Sequence, residues 1–241
     1  MIGWRVVVVA ALILSGGVGC DSLPGKPRQS DLPLSPDQVK SFASLYGQSC
    51  AGCHGAEGTL GAAYPMANPV YQALVDDATM TRIISQGIEG TPMPPFKQGA
   101  GGYLTAEQVG ILVTGMRQRW KTGGPLAGAP SYSGATGDPQ RGAQVFTQSC
   151  APCHGSNGSG GPKAPSIIDP SYLMLVSDQA LRTVVIAGRP DLGQPDWRGY
   201  PSGQPLTAQQ ISDVVAWLAA KRPHLAPGSN GQIHDDGRPQ P

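Results

Sequence analysis

Charge is scarce in this chain: of 241 residues, 17 are Lys or Arg and 16 are Asp or Glu, for a net charge of +1. Without a basic excess there is no electrostatic footprint for nucleic acid, and no acidic tail is present. Aromatic residues are few as well, 6% of the total with only three Phe. A core of this length built from side chains alone would be thin, so something else has to fill it. Long apolar runs are missing: the one apolar stretch, residues 6–14, is too short and too weakly flanked for a good transmembrane helix. Five cysteines cannot all pair, which excludes a simple disulfide scaffold. No segment alternates apolar and polar residues as a half-buried strand does, so the expected class is all-α. What the chain has in quantity is Gly (34) and Pro (24), about a quarter of its residues, just under the range that marks a disordered chain.

The first twenty residues have the three regions of an export signal: Arg5 as the only charge, the apolar run, then the small residues 15–19. Gly17-Val18-Gly19 before Cys20 is similar to a bacterial lipoprotein box, with Gly17 where Leu is preferred. In that reading Cys20 carries the lipid, which accounts for the odd cysteine. An ordinary signal peptide or an uncleaved anchor is the alternative. Residues 21–36 read as a flexible tether, 121–138 as a linker, and 223–241 as a mobile tail, each being rich in Pro, Gly or Ser without apolar periodicity.

Between these lie two copies of one pattern. Gln48-Ser49-Cys50-Ala51-Gly52-Cys53-His54-Gly55 answers Gln148-Ser149-Cys150-Ala151-Pro152-Cys153-His154-Gly155 at an offset of 100. Asn68-Pro69-Val70-Tyr71 answers Asp169-Pro170-Ser171-Tyr172 at 101, and Leu104-Thr105-Ala106-Glu107-Gln108 answers Leu206-Thr207-Ala208-Gln209-Gln210 at 102. Two single-residue shifts over that span indicate a duplicated domain with loop changes, 37–120 and 139–222. Each copy predicts a first helix (about 37–50 and 139–150), a middle helix started by Asn68 or Asp169, and a last helix whose N-cap is Thr105 or Thr207.

Cys-x-x-Cys-His is the attachment signature of a c-type haem. Two thiols on one helical turn each add to a porphyrin vinyl group, and the next residue projects its imidazole at the iron. A zinc site also takes thiolates and imidazole, but each copy offers only three such ligands. A thiol redox motif needs no histidine, still less twice. Cys50 and Cys53 with His54, and Cys150 and Cys153 with His154, are therefore the candidate attachment and iron-binding residues for two covalent haem c groups. A haem in each copy also resolves the shortage of aromatic core.

On these motifs each copy, 37–120 and 139–222, resembles a class I bacterial cytochrome c domain. The whole is similar to an exported dihaem cytochrome c lipoprotein, all-α, with about three main helices wrapped round each haem. The resemblance implies that the first and last helices cross at a Gly and an aromatic residue. Gly142, Phe146 and Trp217 fill those positions in the second copy; in the first, Phe42 and Gly115 exchange large for small. It further implies that the carbonyls of Pro65 and Pro165 accept from the ligand histidines, and that Tyr71 and Tyr172 donate to haem propionates, any other acceptor being the duller reading. Lys97, Arg189 and Arg198 flank the loops opposite.

The resemblance also implies a sixth iron ligand, a Met on the loop before the last helix. Gly90-Thr91-Pro92-Met93-Pro94 supplies Met93 to the first haem, with Met66, Met80 and Met116 as competitors. At the aligned position the second copy has Gln194. There Gln194 ligates through its amide oxygen or merely approaches the iron, or the position is open or holds water, or a distant residue (His224, His234 or a partner's side chain) fills it, or Met174 reaches in. An oxygen donor binds ferrous iron weakly, so the second haem is expected at the lower potential.

The function expected on this basis is single-electron carriage to or from a respiratory or photosynthetic membrane complex or another cytochrome, at the periplasmic face, with the chain tethered through Cys20. The near-neutral charge fits a tethered subunit better than a steered free shuttle. The alternative is a haem enzyme or small-ligand sensor at the second haem, peroxidase-like or acting on sulfur compounds. No candidate catalytic acid–base constellation accompanies it in the sequence.

Overall fold

The computed structural model describes residue 25, residues 27–28, 31–121, 123–124 and 126–223. Cys20, the export segment, His224 and His234 lie outside the described residues. The chain divides into two units, one ending at Gln38 and one beginning at Val39. In the first, a 3-10 turn spans Pro36–Gln38, and Ser35 N–H donates to Gln38 Oε1 at 3.2 Å. All that follows concerns the second unit.

Ten α-helices and no strand occur among its described residues. The first copy contributes α1 (Phe42–Ser49), α2 (Ala51–His54), α3 (Pro69–Leu74), α4 (Asp77–Gln86) and α5 (Ala106–Trp120). The second repeats the order as α6 (Pro139–Ser149), α7 (Ala151–His154), α8 (Pro170–Leu175), α9 (Asp178–Ala187) and α10 (Ala208–Ala219). The first helix starts later than the sequence suggested, at Phe42, because Ser41 caps it by accepting from Ser44 N–H.

Each expected middle helix is broken in two. Val75 and Val176 take extended backbone, and Asp76 and Ser177 start a fresh helix by accepting from the Thr79 and Ala180 N–H groups. The last helices carry complete capping boxes, Thr105 with Gln108 and Thr207 with Gln210.

The crossing of first and last helices shows the size exchange directly. A Cβ on Gly142 would lie 2.0 Å from Asp213 O and 2.8 Å from Trp217 Cβ, and one on Gly115 would lie 2.2 Å from the Phe42 ring. Only glycine allows either approach. The indole, however, is not lost from the first copy. Trp120 takes it up: a Cβ on Gly58 would strike the Trp120 ring at 2.8 Å, and one on Gly158 would meet Trp217 at 3.5 Å. Tyr46 packs edge-on to Trp120 with ring centroids 5.1 Å apart, whereas Phe146 stacks on Trp217 at 4.2 Å.

An arginine clamp recurs in the same displaced fashion. Arg117 on α5 donates to the Gln72 and Val75 carbonyls ending α3 and pairs with Asp77 at 2.7 Å. Arg222, beyond α10, donates to Leu173 O (2.9 Å) and Val176 O (2.8 Å) ending α8 and pairs with Asp178. Both satisfy helix C-terminal carbonyls that have no intrahelical partner.

The later part of the linker is docked. Arg182 of α9, 4% exposed, donates to Ser131 O and Tyr132 O, and Asp213 accepts from Asp138 N–H.

Candidate functional site

Both Cys-x-x-Cys-His motifs fold as a single helical turn after a break at the first cysteine, Cys50 or Cys150. Gly55 (φ 82°) and Gly155 (φ 79°) then turn the chain away. A Cβ on Gly55 would lie 1.8 Å from Thr59 O, so no other residue closes the loop this tightly. Cys50, Cys53, Cys150 and Cys153 are unpaired thiols. Burial pushes the Cys50 thiol up to about 11 and that of Cys150 up to about 12. Both positions therefore favour neutral sulfur, and a thioether is neutral at any pH.

The histidines point one ring nitrogen inward. His154 Nδ1 is 3.0 Å from the Pro165 carbonyl, as the sequence suggested. His54 Nδ1 lies 2.7 Å from the carbonyl of Tyr64, and the expectation for Pro65 is corrected. The Pro65 carbonyl is already engaged, accepting from Asn68 N–H at 3.3 Å. The path from this proline to the next helix start, Asn68 in one copy and Asp169 in the other, is one residue shorter in the first copy. The facing carbonyl is accordingly one residue earlier. In each case Nδ1–H donation leaves Nε2 as the free lone pair, which is what a metal requires. Burial lowers the His54 pKa, partly opposed by the Tyr64 bond, and so favours that neutral form.

Met93 and Gln194 occupy equivalent stations on the loops before the last helices. Ile88 N–H donates to Met93 O at 3.0 Å, and Arg189 N–H donates to Gln194 O at 3.1 Å. The left-handed glycines Gly87 and Gly188 lie against these segments, where a Cβ would sit 2.6 Å from Met93 O and 2.7 Å from Gln194 O. Prolines flank Met93, a stiff frame for a half-exposed thioether. The Gln194 amide nitrogen donates to Val184 O (3.2 Å) and Tyr200 Oη (3.3 Å), and Tyr200 in turn donates to Val185 O. Both amide hydrogens are thus used, while Oε1 has no partner among the described residues. Met80 and Met116 are buried in the core, Met66 packs at its edge, and Met174 is exposed on α8.

The residues present fit a buried, propionate-bearing group. Tyr71 is buried and Tyr172 partly buried, burial pushes both hydroxyl pKa values up, and neither hydroxyl donates to another described residue, so both are available to a propionate. Arg189 pairs with Asp191 and Arg198 with Asp196, so both cations have local carboxylates. No helix among the described residues is long and apolar enough to cross a membrane.

Comparison with known protein families matches the chain copy by copy. Residues 139–221 match the cytochrome c family, and residues 37–114 match cytochrome c oxidase, cbb3-type, subunit III. The chain carries two cytochrome c domains. It is 30% identical over 179 residues to a Cbb3-type cytochrome c oxidase subunit FixP of Sinorhizobium medicae, covering 65% of this chain and 56% of that one. With the FixP of Bradyrhizobium diazoefficiens the identity is 25% over 178 residues, covering 70% and 57%. The chain thus spans little more than half the length of these relatives. A chain of the Kuenenia stuttgartiensis reducing HAO-like protein complex covers 80% of this chain, all of its own length aligning, at 15% identity and a TM-score of 0.43.

With one attachment motif in each cytochrome c domain, the protein binds two covalent haem c groups. Sequence reasoning missed Tyr64 and the arginine clamps, and it read Asn68 only as a helix start. Asn68 held a readable signal: the second domain caps the matching helix with Asp169, so an amide is not needed for capping. It marks a second use for its donor.

Proposed function

We propose that this chain carries single electrons to or from a membrane redox complex of the respiratory chain, tethered at the periplasmic face through a lipid on Cys20. Electron carriage in a respiratory complex is the coarse reading that the FixP relatives support. The export signal and Cys20 rest on the sequence pattern before them. The observation that carries the reading is the pair of Cys-x-x-Cys-His turns, each with imidazole Nδ1 fixed on a backbone carbonyl and Nε2 free.

Bound haem supplies the one-electron couple. Cys50 and Cys53, and Cys150 and Cys153, anchor it by thioethers, while His54 and His154 offer Nε2 to iron. The Tyr64 and Pro165 carbonyls set each ring's tautomer and orientation. Met93 offers its thioether at the first site, and Gln194 its free amide oxygen at the second. Tyr71 and Tyr172 would offer their hydroxyls to propionates.

Gln in the station of Met favours one second reading, a ligand-accessible iron in the second domain that serves catalysis or sensing. Carbon monoxide binding to the fully reduced holoprotein separates the two. Under the electron-carrier reading neither haem binds it rapidly. Rapid binding at the second domain, abolished by Gln194→Met, would favour the enzyme or sensor. Rapid binding at the first domain would sink Met93 as the ligand.

A further inference from the structure

The loop that follows His54 does more than hold its imidazole. From it, Tyr64 Oη donates to Gly188 O at 2.9 Å, and Asn68 Nδ2 donates to Ala187 O (2.8 Å) and to Tyr64 Oη (2.8 Å). Leu60 N–H reaches Asp191 Oδ2 at 3.4 Å, and Arg189 reaches Gly61 O at 3.5 Å. All these contacts from the first domain land on residues 187–191, the entrance of the second domain's Gln194 loop. The Arg189–Asp191 pair is doubly bonded (3.0 and 2.9 Å), with side chains 15% and 5% exposed. Leu60 is held at φ 60°, a left-handed conformation that costs a branched side chain energy and persists where neighbours enforce it.

From Gly188 the contact passes directly to Gln194. The glycine's α-carbon face lies on the Gln194 and Pro195 carbonyls, and Arg189 exchanges two backbone hydrogen bonds with Gln194, at 3.1 and 3.0 Å. The arrangement is one-sided. Among the described residues, the loop from Gly87 to Pro94, which holds Met93, receives no hydrogen bond from the second domain.

We propose that Tyr64 and Asn68 are positioning residues for the other domain's iron site. By pinning Ala187 and Gly188 they fix where Gln194 stands, so the first domain sets how tightly the sixth position of the second haem is closed. The proposal rests on the reading of Gln194 as the residue at that position.

The test is carbon monoxide association with the reduced holoprotein, resolved by haem, in Tyr64→Phe, Asn68→Asp and the double variant. Tyr64→Phe keeps the ring against Tyr71 and the backbone carbonyl for His54, removing only the donor. Asn68→Asp keeps the cap, as Asp169 does, and loses the amide. Association at the second haem is expected to rise at least tenfold in the double variant, well beyond any change at the first haem, and the effect is expected to vanish in a Gln194→Ala background. A rate at the second haem unaltered by both substitutions, while Gln194→Ala alone speeds it, would overturn the proposal and leave the reading of Gln194 standing. A Gln194→Ala protein identical to wild type would sink that reading and the proposal with it. Equal acceleration at both haems would mean general loosening and would also overturn it.

Discussion

Asn68 and Asp169 begin matching helices with matching side-chain oxygens, yet only the amide has hydrogens to give, and both go to the domain junction. Leu60 shows the same logic in the backbone. Its counterpart in the other loop is Gly160 at φ 94°, which adopts this conformation freely. Leu60 is 75% exposed and gains little from burial. Leu60→Gly is therefore expected to stabilise the protein by about 1 kcal/mol, raising Tm by roughly 2–4 °C in thermal denaturation; an unchanged or lower Tm would refute the strain. Asp213 gives a prediction in pH. Arg141 grips its carboxylate with two bonds (2.9 Å each), and the Asp138 N–H and Gln209 amide add to the hold, so its pKa falls from the ordinary 3.8 to about 2. A depressed pKa favours the ionised folded state, so this contribution is complete above pH 4 and is lost as pH falls toward 2. Urea midpoints of Asp213→Asn should accordingly lie below wild type at pH 7 and converge with it near pH 2.

At the scale of elements, each large side chain has a place to fill but not a fixed address. The exchange of Phe42 and Gly115 for Gly142 and Trp217 was legible because volume must be conserved where two helices touch. That Trp120 fills the indole station was not, because a ring can reach one spot from different turns of a helix. Arg117 and Arg222 were hidden for the same reason: they meet equivalent carbonyls from positions that no sequence offset aligns. The broken middle helices were legible only in hindsight, in the Val-Asp and Val-Ser steps that end one helix and cap the next. A compensating pair tests the packing. Phe42→Gly with Gly115→Trp restores the volume of the crossing, but it directs two indoles at Gly58. We expect it to remain destabilised by several kcal/mol in denaturant titration, of the order of a core aromatic lost, until Trp120→Ala is added. Full recovery with Trp120 in place would show that the station holds both rings. The clamp is tested by Arg222→Met, which keeps the aliphatic stem and strands the Leu173 and Val176 carbonyls; a loss of about 1–3 kcal/mol is expected.

For the molecule as a whole, two similar domains need not be two similar redox centres. The motif and the duplication could be read from residue order because covalent attachment demands fixed spacing. The junction could not, since a hydroxyl donating to a carbonyl 124 positions away leaves no periodic trace. What the order of residues did expose is Gln194 where the first domain has Met93, and the structure adds that the two hang from equivalent backbone bonds. A thioether favours ferrous iron and raises the potential, whereas the oxygen of an amide whose nitrogen is held by Val184 and Tyr200 gives ferrous iron little. Spectroelectrochemical titration of the holoprotein should therefore resolve two one-electron steps, the lower belonging to the second domain. Gln194→Met should raise the lower step toward the upper while leaving the upper in place. Met93→Gln should do the converse, dropping the upper step toward the lower. If the two steps coincide in wild type, or if Gln194→Met moves neither, the sixth position is not what separates the domains. Where two steps are resolved but Gln194→Met moves neither, the difference between them would have to come from the one-sided junction, and Tyr64→Phe would shift the second domain's step alone.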